Sequence, residues 1–234
     1  MLTSLGPRSE TQIDRKPDLR VWAVSLDRGA ADLTLLSKEE RERAARLLRP
    51  QDRIWWLEAH CALRRILGLE LNIDPRRIRF GATATGKPYL AEPNGDLQFN
   101  LSHSDADCLI AVAAGRQVGV DIEIERPMSD LLEVADQFAT PREAKLLRSR
   151  SGCELRGVFY ELWTRKEALL KAAGTGLLID PREVEVGVCS DRMRVSFEGR
   201  SWTLASLAVG PGASAAVAIE GPSETPPVET YRHE

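Results

Sequence analysis

Asp121 and Glu123 stand two residues apart in the stretch Val118-Gly119-Val120-Asp121-Ile122-Glu123-Ile124-Glu125. Val118, Val120, Ile122 and Ile124 alternate with Gly119 and the three acids, the period-two pattern of a strand with its branched side chains on one face. The acids then share the other face, where like charges repel. A hard cation turns that repulsion into coordination, so this pattern can serve a metal site. A half-exposed strand with a solvated acidic face is the other reading, and the segment alone fits both.

A second source of chemistry lies downstream. From about Leu155 to Ala173 the sequence has a helical period that stops at Gly174. Phe159, Leu162, Trp163, Leu170 and Ala173 share a broad apolar face that belongs in a core. Tyr160, Thr164, Glu167 and Lys171, spaced by four, three and four, form a second stripe in which Glu167 and Lys171 are neighbours. Taken alone, that pair reads as a surface ion pair worth about a few tenths of a kcal/mol.

Two further segments are polar and suggestive. Gly81-Ala82-Thr83-Ala84-Thr85-Gly86-Lys87-Pro88 nearly repeats the phosphate-cradling P-loop, but Pro88 stands where a hydroxyl must bind Mg²⁺, and no helix follows. A nucleoside triphosphatase is therefore excluded, leaving a glycine turn that presents Lys87. Phe99-Asn100-Leu101-Ser102-His103-Ser104 ends a strand in a polar cluster. Ser102 and His103 are adjacent and diverge on a strand, and no nucleophile elbow surrounds the serine. Hydrogen bonding to an anionic ligand suits them, as does simple turn capping.

The elements that must position these residues follow from the rest of the chain. Val21–Leu26 reads as a first strand. A capping box at Ser37 opens a helix to about Leu48, and a second helix runs from near Asp52 to Leu67 with Gly68 at its end. Strands are expected near Ile78–Phe80, Leu97–Leu101 and Cys108–Ala113, before the acidic strand. A second capping box lies at Thr140, and later strands fall near 183–188, 193–198, 202–209 and 215–219. The order strand, helices, strands occurs twice, which predicts an α+β protein of two similar halves, each a small, mostly antiparallel sheet packed with helices. The halves are 1–117, with 1–19 loose, and 118–220; residues 221–234, rich in Pro and Glu, read as a disordered tail. The acidic strand falls at the join, where ligands commonly bind.

Composition bounds the function. With 234 residues, 43% of them hydrophobic and 29% charged, the chain is long enough for one domain or two and ordinary for a globular protein. No apolar run crosses a bilayer and no signal peptide is evident, so no membrane role is expected. Cysteines at 61, 108, 153 and 189 form no close pair, which argues against zinc or disulfides and for a cytoplasmic setting. Residues 41–79 hold ten Arg against five acids, whereas residues 116–234 hold 15 basic and 19 acidic residues. A basic region facing an acidic site suits a polyanion held with a metal ion. Nucleic acid is not expected, because aromatics other than Trp55 and Trp56 are missing from the basic segment.

Four of these segments, in this order and with these intervals, resemble the surfactin-type 4′-phosphopantetheinyl transferase family: Gly86-Lys87-Pro88, Phe99 to Ser104, Gly119 to Glu123, and Phe159 to Leu177 with its Trp163, Lys166-Glu167-Ala168 and Lys171-Ala172. The resemblance spans about residues 37–220. It implies a two-half monomer related by a pseudo-twofold, with the cofactor cleft between the halves. It implies transfer of phosphopantetheine from coenzyme A to a serine of an acyl or peptidyl carrier protein, with Mg²⁺ and release of adenosine 3′,5′-bisphosphate. By motif it implies Asp121, Glu123 and Glu167 as metal ligands and Lys171 on the pyrophosphate. The chemistry of attack on a diphosphate then makes Glu167 and Lys171 the catalytic pair, with Glu167 as base for the serine proton, directly or through a metal-bound water. Arg43, Lys87, Ser102 and His103 would hold the adenosine end and its 3′-phosphate, with Gly86 and Asn100 in the same cofactor-binding set. The chain length resembles the branch that serves polyketide and nonribosomal-peptide carriers, with fatty-acid carriers open. One departure is Trp55, where relatives often carry a basic residue; Arg53 is the nearby substitute. One competing reading is a Mg²⁺-dependent phosphohydrolase acting on coenzyme A or a nucleotide with the same carboxylates. Another is a non-catalytic carrier- or coenzyme-A-binding subunit, against which the intact set Asp121, Glu123, Glu167 and Lys171 argues.

Overall fold

The structure is a computed structural model that describes residues 18–27, 31–188 and 192–231. Its first half is built on a sheet ordered β10-β1-β5-β4, from β1 (Leu19–Ser25), β4 (Leu97–Ser104), β5 (Asp107–Ala114) and β10 (Val228–Thr230). One face of that sheet alternates Trp22, Val24, Ile110 and Val112 against the long helix α2 (Pro50–Leu71), which brings Ala59, Leu63 and Ile66. Helix α1 (Lys38–Ala45) precedes it and buries only Ala44. A hairpin, β2 (Arg79–Ala82) and β3 (Pro88–Glu92), projects beside them, with the near-P-loop residues in its turn.

The second half repeats the plan. Its sheet is ordered β6-β9-β8-β7, from β6 (Val118–Ile124), β7 (Arg192–Phe197), β8 (Arg200–Ser206) and β9 (Ala213–Glu220). Short helices α3 (Leu131–Ala135) and α4 (Pro141–Arg148) and the long helix α5 (Gly152–Ala173) cover one face, burying Phe138, Phe159, Leu162 and Trp202. The two sheets turn their other faces to each other, and Val21, Leu109, Ala111, Val118, Val120, Ile122 and Val217 form the core between them. The fold is thus α+β, with both sheets inside and one 22-residue helix on each outer side.

Edge strands β4 and β6 lie side by side where the sheets meet, joined by side chains instead of a backbone ladder. The backbone N–H groups of Val120 and Ile124 donate to Asn100 Oδ1 (2.9 Å) and Ser104 Oγ (3.1 Å). Both edges are thereby covered, which removes two open templates for pairing with another chain.

Several boundaries differ from the sequence reading. Helix α2 continues through Gly68 and ends at Asn72, whose left-handed backbone (φ 53°) caps it. Gly68 is small for a packing reason: a Cβ there would stand 2.9 Å from Pro75 Cγ. The segment expected as a strand at 183–188 has no strand partner among the described residues. Its carbonyls at Val184, Val186 and Gly187 are satisfied by Lys166 and Arg165, and the Val186 N–H by Glu143. Buried side chains do there what a neighbouring strand would otherwise do. The expected disordered tail is also corrected: Val228–Thr230 pairs parallel to β1, and Tyr231 packs on the α2 core. That strand takes the open edge of β1, so the end of the chain completes the sheet of the first half. Cys189 and His233 lie outside the described residues.

Candidate active site

Strand β6 carries Asp121 between two packing constraints. Val120 and Ile122 hold it against the inter-sheet core, and Gly119 lets α5 press on its other face. A Cβ at 119 would stand 2.2 Å from Ala168 O and 2.3 Å from Ala172 N, so only glycine allows this approach. The acidic face is consequently roofed by α5, and Asp121 is only 2% exposed. This excludes the solvated-strand reading for that residue.

Asp121 Oδ1 accepts hydrogen bonds from Lys171 Nζ (2.6 Å) and Ser102 Oγ (2.8 Å), and Lys171 Nζ also donates to Ser102 Oγ (3.1 Å). Asp121 Oδ2 is buried and has no hydrogen-bond partner among the described residues. Two positions along, Glu123 Oε2 accepts from Ser104 Oγ (2.9 Å) and Oε1 from Trp163 Nε1 (3.4 Å). Burial pushes the Asp121, Glu123 and Glu167 carboxyls above their ordinary range. Lys171 opposes the shift at all three, while Asp121 adds to it at Glu123 and Glu167. Glu167 therefore belongs to the same electrostatic cluster.

The donor set suits a hard cation in a limited way. Among the described residues no three acidic, His or Cys groups converge as a ready metal cage. Asp121 and Glu123 nevertheless offer oxygen donors, and the orphaned Asp121 Oδ2 is an acceptor whose burial is costly without a partner. Mg²⁺ commonly takes one or two carboxylates and completes its shell with waters and substrate phosphates. The residues present fit that mode.

Beside the cluster opens a cavity of about 1050 Å³ between α1, α2, the β2–β3 hairpin and the end of α5. Arg43, Trp56, His60, Phe80, Gly86 and Lys171 are among its walls. Arg43 is exposed there, whereas Arg64 is buried and held by Glu40 and the carbonyls of Pro75 and Ile78. Trp56 stacks on His60, their ring centroids 3.5 Å apart, and burial pushes His60 down to about 4, so the pair is a neutral aromatic wall.

The expected site residues divide into groups. Asp121, Glu123, Glu167, Lys171 and Ser102 come together. His103 points to the opposite side of β4 from Ser102, and among the described residues its buried Nδ1 has no hydrogen-bond partner. Asn100 lines the cavity, yet its carbonyl oxygen is used on the Val120 N–H. Lys87 departs from the expectation: its ammonium is not turned to open space but bonded to Gln117, Val118 and Ala172. Of the two adjacent tryptophans, Trp56 lines the cavity, while Trp55 reaches Asp27 and Arg53 caps the carbonyls of Ala45 and Leu47. Ser104 and Trp163 were missed as partners of Glu123. The alternation of Asn100, Ser102 and Ser104 on one face was the available signal for the serine.

Two family models match the chain in succession. Residues 20–115 match the 4′-phosphopantetheinyl transferase N-terminal model, and residues 117–218 match the 4′-phosphopantetheinyl transferase superfamily model. The 4′-phosphopantetheinyl transferase HetI of Nostoc is 35% identical over 87% of this chain and 88% of its own. A putative 4′-phosphopantetheinyl transferase of Synechocystis, slr0495, is 36% identical over 69% and 67%. The 4′-phosphopantetheinyl transferase Sfp of Bacillus subtilis is 28% identical over 68% and 72%. The chain belongs to the 4′-phosphopantetheinyl transferase family and is an enzyme, a transferase. Among the described residues no helix is long and apolar enough to cross a membrane.

Proposed function

We propose that this enzyme transfers 4′-phosphopantetheine from coenzyme A to a serine hydroxyl of an apo carrier protein, with Mg²⁺ and with adenosine 3′,5′-bisphosphate as the leaving product. The observation that carries the reading is the buried Asp121–Lys171–Ser102 cluster, with one carboxylate oxygen unpaired, opening on a basic, aromatic-walled cavity. That cavity is at the top of the usual range for small-molecule sites, roughly 300–1,000 Å³, as a nucleotide with a long arm requires.

Asp121 and Glu123, with Glu167 beside them, would hold Mg²⁺, which when bound neutralises the diphosphate. Lys171, 30% exposed at the cavity, presents its ammonium to the pyrophosphate and stabilises charge on the leaving phosphate. Glu167, whose carboxyl is held above its ordinary range by burial and is so a stronger base when ionised, accepts the proton of the attacking serine. Arg43 offers an exposed guanidinium to a phosphate on the adenosine, and the Trp56–His60 wall offers a flat surface to its base. Among the described residues the buried His103 Nδ1 has no hydrogen-bond partner, and the family resemblance assigns this residue to the 3′-phosphate. The carriers proposed are those of polyketide and nonribosomal-peptide assembly, with fatty-acid carriers as further candidates.

The test incubates the protein with Mg²⁺, coenzyme A and a panel of apo carriers, and weighs each carrier by mass spectrometry. One added phosphopantetheine on a carrier serine is the expected result. Consumption of coenzyme A at the same rate without any carrier would instead make the protein a hydrolase and overturn the reading.

A further inference from the structure

The three hydrogens of an ammonium can serve three acceptors, and Lys87 has three: Ala172 O at 2.7 Å, Gln117 Oε1 at 2.8 Å and Val118 O at 3.2 Å. Each belongs to a different part of the site's frame. Ala172 is in the last turn of α5, where carbonyls lack helical partners and a cation meets the negative end of the helix dipole. Val118 opens β6, and β6 is an edge strand whose remaining carbonyls face the joint. Gln117 Nε2 in turn donates to Gln98 Oε1 on β4 (3.1 Å), extending the link to the other sheet.

The lysine stem is seated as deliberately as its tip. A Cβ on Gly174 would stand 3.1 Å from Lys87 Cδ, and Gly174 itself has φ +71°. The positive φ favours glycine at the end of α5, and the missing Cβ leaves the stem an unhindered seat there. The anchored residues flank the reacting ones: Ala172 follows Lys171, and Val118 lies three before Asp121. The element that carries the lysine and the element that carries the carboxylate are therefore tied to one another through Lys87.

We infer that Lys87 is a positioning residue, a strut from the β2–β3 turn that sets the spacing between α5 and β6 and so the Lys171–Asp121 contact, and is not a ligand of the substrate's terminal phosphate. The inference rests on Asp121 and Lys171 being the reacting site. It departs from the role that motif resemblance assigns to this lysine, because the geometry leaves it no donor to offer.

Lys87→Met keeps the stem and removes the ammonium. With the full-length protein, coenzyme A and 3′-dephospho-coenzyme A are compared as substrates, and backbone amide exchange is followed in the unliganded protein. The expected result is a kcat lower by about tenfold or more for both substrates, since small misplacements of reacting groups are costly. The two KM values should change by the same factor, and exchange at residues 172–174 should accelerate. A KM raised for coenzyme A alone, with kcat and exchange unchanged, would overturn the strut and make Lys87 a phosphate ligand. Should Lys87→Met fail to fold, Gln117→Leu removes one acceptor and must lower kcat for both substrates alike; unaltered kinetics and exchange in that variant overturn the inference. The exchange readout needs no turnover, so it decides the role of Lys87 even if the unmodified protein transfers nothing, an outcome that counts against the proposed reaction alone.

Discussion

Helix α5 carries two lysine–carboxylate pairs five residues apart, and they are opposites. Lys166 Nζ donates to Glu143 Oε2 (2.8 Å), to Pro181 O (2.8 Å) and to Val184 O, while Glu143 also receives the N–H groups of Thr140 and Val186. Both side chains are at most 2% exposed and every polar atom is used. Lys171 and Asp121 form the other pair, with Lys171 30% exposed toward the cavity and Asp121 Oδ2 unpaired. A fully satisfied buried network holds parts together and offers nothing to a ligand. An incompletely satisfied one stores a demand for a partner, which a bound cation and phosphate can meet. The difference separates architecture from chemistry on a single helix.

Breaking the first pair should have the largest effect. Lys166→Met leaves Glu143 buried without its cation, so stability should fall by about 3–5 kcal/mol, a drop in Tm on the order of 10 °C. Thermal or urea unfolding would measure this; a variant of native stability that had lost only turnover would move Lys166 into the site. The second pair should respond in the reverse sense. Asp121→Asn and Glu167→Gln are each expected to slow carrier modification by about a hundredfold or more with no loss of Tm. Equal loss of stability in these variants would erase the contrast.

A subtler effect concerns pH. Asp121, Glu123 and Glu167 have carboxyls raised by burial, so the folded protein binds protons more tightly there than the unfolded chain. The stability they contribute is present below the ordinary carboxylate range and is lost as pH rises through their raised values. Unfolding curves of the ligand-free protein across that window should show the decline, and Asp121→Asn should flatten it; a stability that climbed over the same window would contradict the assignment. Smallest is Ser104→Ala, which removes one donor from Glu123 and one acceptor from the Ile124 N–H. It should cost about 1 kcal/mol of stability and only a few-fold in turnover. A loss as large as that of Asp121→Asn would place Ser104 among the reacting groups.

Much of this site is legible in the sequence. Alternation in Val118–Glu125 placed Asp121 and Glu123 on one face of a strand, and the stripe at 160, 164, 167 and 171 put Glu167 beside Lys171. Such periodicities are local, so a one-dimensional reading recovers them. Trp163 shows where that reading stops. Its ring packs edge-on against Phe138, 5.0 Å between centroids, as an apolar-face residue should, yet its indole N–H reaches Glu123. An amphipathic side chain does both jobs, and only its neighbours tell which atoms meet which. The terminal strand was missed because Val228–Thr230 pairs with β1, some two hundred residues earlier in the chain. Composition there reports low hydrophobicity but not the open sheet edge that receives it.

By itself, then, the sequence determined the long helices, the strands that carry the site, the two-half plan, and which carboxylates and lysines share a face, since each follows from backbone periods of 2 and 3.6 residues. Tertiary packing alone decided which of those charges would be left unsatisfied. Gly119 brings α5 onto β6 and buries Asp121, the serines of β4 reach across from the other sheet, and Lys87 is drawn into the joint. The physical reason is that burial and hydrogen-bond partnership are properties of a neighbourhood assembled from distant segments, and the reactivity of a charged group depends on both.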